Sequence, residues 1–107
     1  MIKLVNLLVR RDGMSHEEFQ EYWYEEHVPL AKDLPKARKY VTSVPVDPTR
    51  AEYDGMVELY FDSMGDLKEA FDSEVGEEVM ADLQNFADPD AGPTMYVEET
   101  VQHDEDA

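Results

Sequence analysis

His27 is the residue in this chain best placed for proton chemistry. Phe19, Trp23, His27 and Leu30 follow one another at spacings of four, four and three, with Tyr22 beside them. That spacing puts an imidazole on the inward stripe of a helix. Histidine has an unperturbed pKa near 6.5, so small changes in its surroundings turn it into a base or an acid at neutral pH. Pro29 follows two residues later and lacks an N–H, so the helix is expected to kink or end just after His27. Two roles fit this position. The ring either bonds a backbone carbonyl as a half-buried structural residue, or works as a general base or acid at the mouth of a cavity between helix and sheet.

Four other residues join it as candidates. Tyr40 opens a strand-like segment just beyond that region, where its hydroxyl either donates to a substrate oxygen or sits as an amphipathic edge residue. Asn6 and Glu58 interrupt otherwise apolar strand segments. An inward polar side chain needs a partner or a ligand. Asn6 shares its face with Ile2, Leu4 and Leu8 and is expected to point inward, whereas Glu58 between Met56 and Tyr60 fits either face. Trp23 reads first as core. The candidate set is therefore His27 and Tyr40 for catalysis, with Asn6, Trp23 and Glu58 for substrate binding. The chain has no phosphate-binding glycine loop, GxSxG elbow, HExxH or paired-histidine motif, and no cysteine. No metal site and no cofactor is expected.

The elements that must position these residues follow a simple order. Ile2 to Val9 is apolar on both alternating faces, the mark of a central strand covered on both sides. After the Arg10–Gly13 turn, Ser15 with Glu18 forms a capping box, and Met14 is placed to staple onto Phe19. Lys36 to Val46 is the second strand, which Pro45 marks as an edge. Met56 to Phe61 alternates as the third. Ser63 caps a short helix through Phe71, and Ser73 opens another whose stripe is Val75, Val79, Leu83 and Phe86. Thr94 to Val101 is the fourth strand. This βαββαβ order predicts an α+β ferredoxin-like domain over residues 1–101, a four-stranded antiparallel sheet with helices on one face. Residues 102–107 read as an acidic C-terminal tail. Helices on one face leave the other open, and a second copy of the chain is the economical cover, so a homodimer through that face is expected.

Composition bounds the setting. The 107 residues carry 26 acids against 9 bases, a net charge of −17, while 42% are apolar. That is too apolar for a disordered acidic chain. It is too negative for a phosphate backbone or an anionic membrane surface, so neither a nucleic-acid nor a membrane partner is expected. No membrane-spanning or secretory segment is visible, which predicts a cytoplasmic protein. Residues 1–50 hold eight acids and eight bases, whereas residues 51–107 hold eighteen acids and one base, Lys68. The surplus fits an acidic docking face or, better, adaptation to concentrated salt, where charge repulsion is screened within about 3 Å.

Gly13-Met14-Ser15, Glu18-Phe19, Tyr22-Trp23, His27-Val28-Pro29-Leu30 and Tyr40 together resemble the opening signature of the EthD family. Tyr53-Asp54-Gly55, the run Glu58 to Ser63, and Phe86-Ala87-Asp88 agree in the second half. The resemblance runs to Val101. It implies the dimeric α/β-barrel superfamily, in which two ferredoxin-like sheets face each other with helices outside. The family takes its name from ethyl tert-butyl ether degradation, and its members are often labelled reductases, although this chain has no nicotinamide- or flavin-binding motif. Related barrels include muconolactone-type isomerases, polyketide cyclases, cofactor-free monooxygenases and haem-binding proteins. In the isomerase-like relatives a histidine matching His27 and a tyrosine matching Tyr40 line the pocket. Their cysteine nucleophile is absent here, so that chemistry does not carry over. The expectation is a cofactor-independent oxidoreductase, isomerase or cyclase moving a proton on a small, hydrophobic, oxygen-bearing ligand. The alternative is an accessory module holding a small ligand or haem without turnover.

Overall fold

In the computed structural model, which describes residues 1–106, the strands are β1 (Ile2–Leu8), β2 (Lys39–Ser43), β3 (Gly55–Phe61) and β4 (Thr94–Glu98). They form one antiparallel sheet in the order β2-β3-β1-β4. Between β1 and β2 run α1 (His16–Tyr22), a π-helical turn (Trp23–His27) and α2 (Val28–Ala31); between β3 and β4 run α3 (Met64–Asp72) and α4 (Glu74–Leu83). This is the expected ferredoxin-like βαββαβ fold. Beyond β4, residues 99–106 form neither strand nor helix and are exposed.

The start of α1 follows its sequence signals. Ser15 Oγ accepts from the Glu18 N–H while the Glu18 carboxylate accepts from the Ser15 N–H, closing both sides of the capping box. Of the two outcomes expected at Pro29, an end of the helix just after His27 does not occur, since α2 continues from Val28. The hydrogen-bond ladder widens instead, with the Val28 N–H donating to the Trp23 carbonyl five residues back. Pro29 then falls in the first turn of α2, where a missing N–H is tolerated. The widened turn keeps both Trp23 and His27 buried, at 0% and 6% exposure.

The second strand is shorter than the expected Lys36 to Val46 run. It ends at Ser43, and Val44 and Val46 beyond it are exposed. Pro45 cannot donate to a ladder, so the chain leaves the sheet before reaching it.

Two apolar clusters fill the space between helices and sheet. Leu4, Leu59, Phe61, Leu67, Ala70 and Val79 anchor one; Leu8, Phe19, Trp23, Phe86 and Ala87 form the other. The first also takes in Ala31 and Leu34, and Met14 packs on the second as the staple expectation requires. Strand pairing sends Lys3, Val5 and Leu7 of β1 to the opposite face, beside Met56, Glu58 and Tyr60 of β3. No helix of the described residues is long and apolar enough to cross a membrane.

Candidate functional site

A cavity of about 380 Å³ separates the two clusters, roofed by α2, α3 and α4 and floored by the sheet. Leu4, Leu8, Val57, Leu59 and Leu83 make most of its wall apolar. His27, Tyr40, Asn6 and Thr94 add polar atoms, and the exposed Lys68 and Met80 also line it. This volume lies within the roughly 300–1,000 Å³ typical of small-molecule pockets.

His27 hangs into this space from the π-helical turn. Its ring packs against Phe86, centroids 4.8 Å apart. Its Nδ1 lies 2.8 Å from Asp82 Oδ2 on α4. The carboxylate is itself clamped, since the Tyr22 hydroxyl donates to Oδ1 at 2.7 Å and the Asn85 amide donates to it at 3.0 Å. Burial pushes the Asp82 carboxyl up, but the three hydrogen bonds from Tyr22, His27 and Asn85 outweigh it and hold the pKa below the usual aspartate value. Ionised Asp82 only accepts, so Nδ1 carries the ring proton and Nε2 keeps its lone pair. Burial lowers the His27 pKa below 6.5, with Asp82 opposing it, so the imidazole is neutral at neutral pH. Nε2 has no protein partner among the described residues and is not sealed from solvent.

Tyr40 stands on β2 opposite Leu59, on the cavity side. Burial pushes its phenol up to about 12, opposed by the nearby Trp23 indole, so it stays protonated and can donate. Asn6 faces the same space, as expected. Its amide donates to Thr94 Oγ1 at 2.8 Å and to the Pro93 carbonyl at 3.3 Å, tying β1 to the start of β4. It makes no hydrogen bond to His27, and its side-chain oxygen stays open.

The remaining two candidates lie elsewhere. Trp23 is fully buried behind the cavity wall, packed on Phe19, Tyr24 and Phe86. Its Nε1 is buried near the Tyr40 hydroxyl but outside hydrogen-bonding geometry to it. The ring presses on Gly55, where a Cβ would come within 2.5 Å of it, so only glycine fits there. Trp23 therefore shapes the site without lining it. Glu58 projects from the opposite face of the sheet, where its carboxylate meets Lys3 Nζ at 2.6 Å. Alternation along β3 requires this, because Glu58 lies between the cavity-facing Val57 and Leu59. It is not part of the cavity.

Asp82, the partner of His27, is absent from the candidates read from the sequence. It sits three residues after Val79 and four before Phe86, on the inward side of α4. A carboxylate there would stand out in most chains; among eighteen acids in residues 51–107 it did not. Among the described residues, no group of three or more His, Cys, Asp or Glu side chains could hold a metal ion.

Residues 11–90 match the EthD domain family, which covers the whole run from the turn before α1 to the loop before β4. This chain belongs to the EthD family. An uncharacterised 11.0 kDa protein of Rhodococcus erythropolis is 34% identical over 89 residues, covering 78% of this chain and 82% of that protein. The crystal structure of an EthD-family protein from Bacillus halodurans superposes with a TM-score of 0.81 at 25% identity, over 94% of this chain and 99% of that one. A dimeric ferredoxin-like protein of Bacteroides fragilis matches with a TM-score of 0.71 at 15% identity, over 92% and 95% of the two chains. A hydroxynitrile lyase from Passiflora edulis gives 0.69 at 14% identity, over 94% and 95%. These last two share the fold with this EthD protein.

Proposed function

We propose that this EthD protein moves a proton on a small, hydrophobic, oxygen-bearing molecule held between helices and sheet. His27 Nε2 is the base. It takes a proton either from the carbon next to a carbonyl, whose bonding electrons pass onto the carbonyl oxygen as an enolate, or from a phenolic hydroxyl, whose own oxygen keeps the electrons as a phenolate. Tyr40 steadies that oxygen by donating a hydrogen bond while keeping its own proton. Asn6 offers its free side-chain oxygen to a ligand hydroxyl. Return of the proton from imidazolium to a different atom gives isomerisation; attack of the enolate on a second carbonyl gives ring closure. The observation that carries this reading is the buried His27, which lines an apolar cavity together with Tyr40 while its Nδ1 pairs with Asp82.

Solvent-deuterium exchange into the α-position of simple aryl ketones tests it, followed by proton NMR. The wild-type protein should accelerate exchange, and His27→Ala should lose that acceleration by about 10²–10⁴-fold, the scale of one general base. Equal rates for the two proteins would refute the role.

We further infer a homodimer closed through the open sheet face. Half-buried Val5, Leu7, Val41 and Met56 lie there with the 63% exposed Met95, around the Lys3–Glu58–Glu99 ion-pair cluster. The dimeric state of the Bacteroides fragilis neighbour agrees with this. Most acids of residues 51–106 are exposed, in keeping with life in concentrated salt. Melting temperature should then rise with KCl concentration, and full stability in dilute buffer would remove that inference.

A further inference from the structure

The carboxylate behind His27 is held more firmly than a structural hydrogen bond needs. Asp82 Oδ1 takes two neutral donors, Tyr22 Oη at 2.7 Å and Asn85 Nδ2 at 3.0 Å, which leaves Oδ2 for His27 Nδ1 at 2.8 Å. The three donors come from two places in the chain: Tyr22 and His27 from the first helical segment, Asn85 from the residues just after α4. Among the described residues, no lysine or arginine makes a salt bridge to this carboxylate. Its charge is thus directed at the imidazole alone.

We propose that Asp82 is the positioning residue of this site, clamped by Tyr22 and Asn85 so that the His27 ring is held as the Nδ1–H tautomer with Nε2 free to take a proton from a neutral ligand. This inference rests on the base role of His27 and adds to it the tautomer and the substrate class. Before reaction the pair carries one negative charge, on Asp82. After proton uptake the imidazolium and the carboxylate neutralise each other, and the ligand becomes the anion. A ligand that arrives already ionised has no such gain at His27 and meets the charge of Asp82, while the exposed Lys68 and Asp72 that also line the cavity offset each other. The substrate class that follows is an uncharged carbonyl or phenolic compound with an acidic hydrogen.

The clamp makes a specific prediction for Asp82→Asn. Tyr22 and Asn85 both donate to Oδ1, so they hold the new amide with its oxygen toward themselves and its NH₂ toward His27. Nδ1 must then accept, and the ring proton moves to Nε2. The fold is kept and the base is lost. An aspartate-to-asparagine change behind the histidine of serine-hydrolase triads costs about 10⁴-fold in kcat for the same reason.

Diethyl pyrocarbonate, which acylates the unprotonated ring nitrogen, reads this without a known substrate. Peptide mapping of the full-length protein reports the rate at His27, and ¹⁵N NMR reports the tautomer. Wild type should react at His27 as the Nδ1–H form. Asp82→Asn should switch to Nε2–H and react roughly 100-fold more slowly or worse. Adding Tyr22→Phe and Asn85→Ala frees the amide to turn, and part of the reactivity should return. An Asp82→Asn protein that keeps the Nδ1–H form and the wild-type rate overturns the proposal, as does a triple variant with no recovery. A wild-type His27 that does not react at all overturns the base role itself, a separate failure.

Discussion

Among the described residues, two histidine–aspartate pairs of nearly equal length occur, His27–Asp82 at 2.8 Å and His16–Asp54 at 2.9 Å, each through Nδ1. Around Asp54 the other claimants are cationic. Arg10 gives that carboxylate its backbone N–H at 2.8 Å and its guanidinium at 3.0 Å, and the same guanidinium nitrogen lies 3.2 Å from His16 Nε2. Both side chains are 38% exposed and border a polar cleft. A permanent cation already balances Asp54, so the histidine adds little. The group ties the end of β1, the start of α1 and the residue before β3 together. Around Asp82 the other claimants among the described residues are neutral, and its histidine lines an apolar cavity. A histidine near a carboxylate is therefore no sign of a site by itself. What decides is who else holds the carboxylate and what the second nitrogen faces.

The sharpest way to break this contrast is to remove each histidine. His27→Ala should abolish ketone proton exchange as above, while His16→Ala should leave it within about a factor of two, since no base role is assigned there. If the two variants lose equal activity, the distinction collapses. Next in size is Asp54→Ala, which takes the carboxylate away from the part-exposed Arg10 N–H and guanidinium and should cost about 0.5–1.5 kcal/mol of stability with exchange retained. Chemical denaturation combined with the exchange assay checks both halves.

The smallest effect lies in the pH dependence of stability. Burial depresses the folded pKa of His27 below its ordinary 6.5. Above about 6.5 the ring is neutral in folded and unfolded chains alike, and its full contribution is present. As pH falls from there toward the lower folded value, the unfolded chain binds the proton first, so stability declines. Asp82 adds nothing in that window, because its depressed pKa places its own loss below 3.8. Thermal melts between pH 7 and pH 5 should fall less steeply for His27→Gln than for wild type; parallel curves would mean the ring is not buried neutral.

Much of this was legible in the residues themselves. The alternation of β1 and β3, the Ser15–Glu18 capping box and the stripe through His27 specify their elements with local rules alone. Asn6 and Tyr40 face the cavity as their strand positions predict. Glu58 did not yield, because a polar residue between two apolar ones fits either sheet face until the partner strand is known; Lys3 across the sheet decides it. Trp23 is core, as it first reads, and its place among the ligand contacts could not be judged from the stripe. The stripe that carries it also carries His27, and periodicity does not tell a residue lining a cavity from one behind it. The course of the chain past Pro29 depended on a π-helical turn that no local signal announces. Asp82 was hidden by composition, its partners lying 55 and 60 residues away along the chain.

The central claim is that His27 is a neutral, Nδ1-protonated base held by Asp82. A ¹⁵N NMR titration of the wild-type imidazole measures this directly. The account predicts a single ring proton on Nδ1 at neutral pH and a midpoint below 6.5. A proton on Nε2, or a midpoint at or above that value, would contradict it.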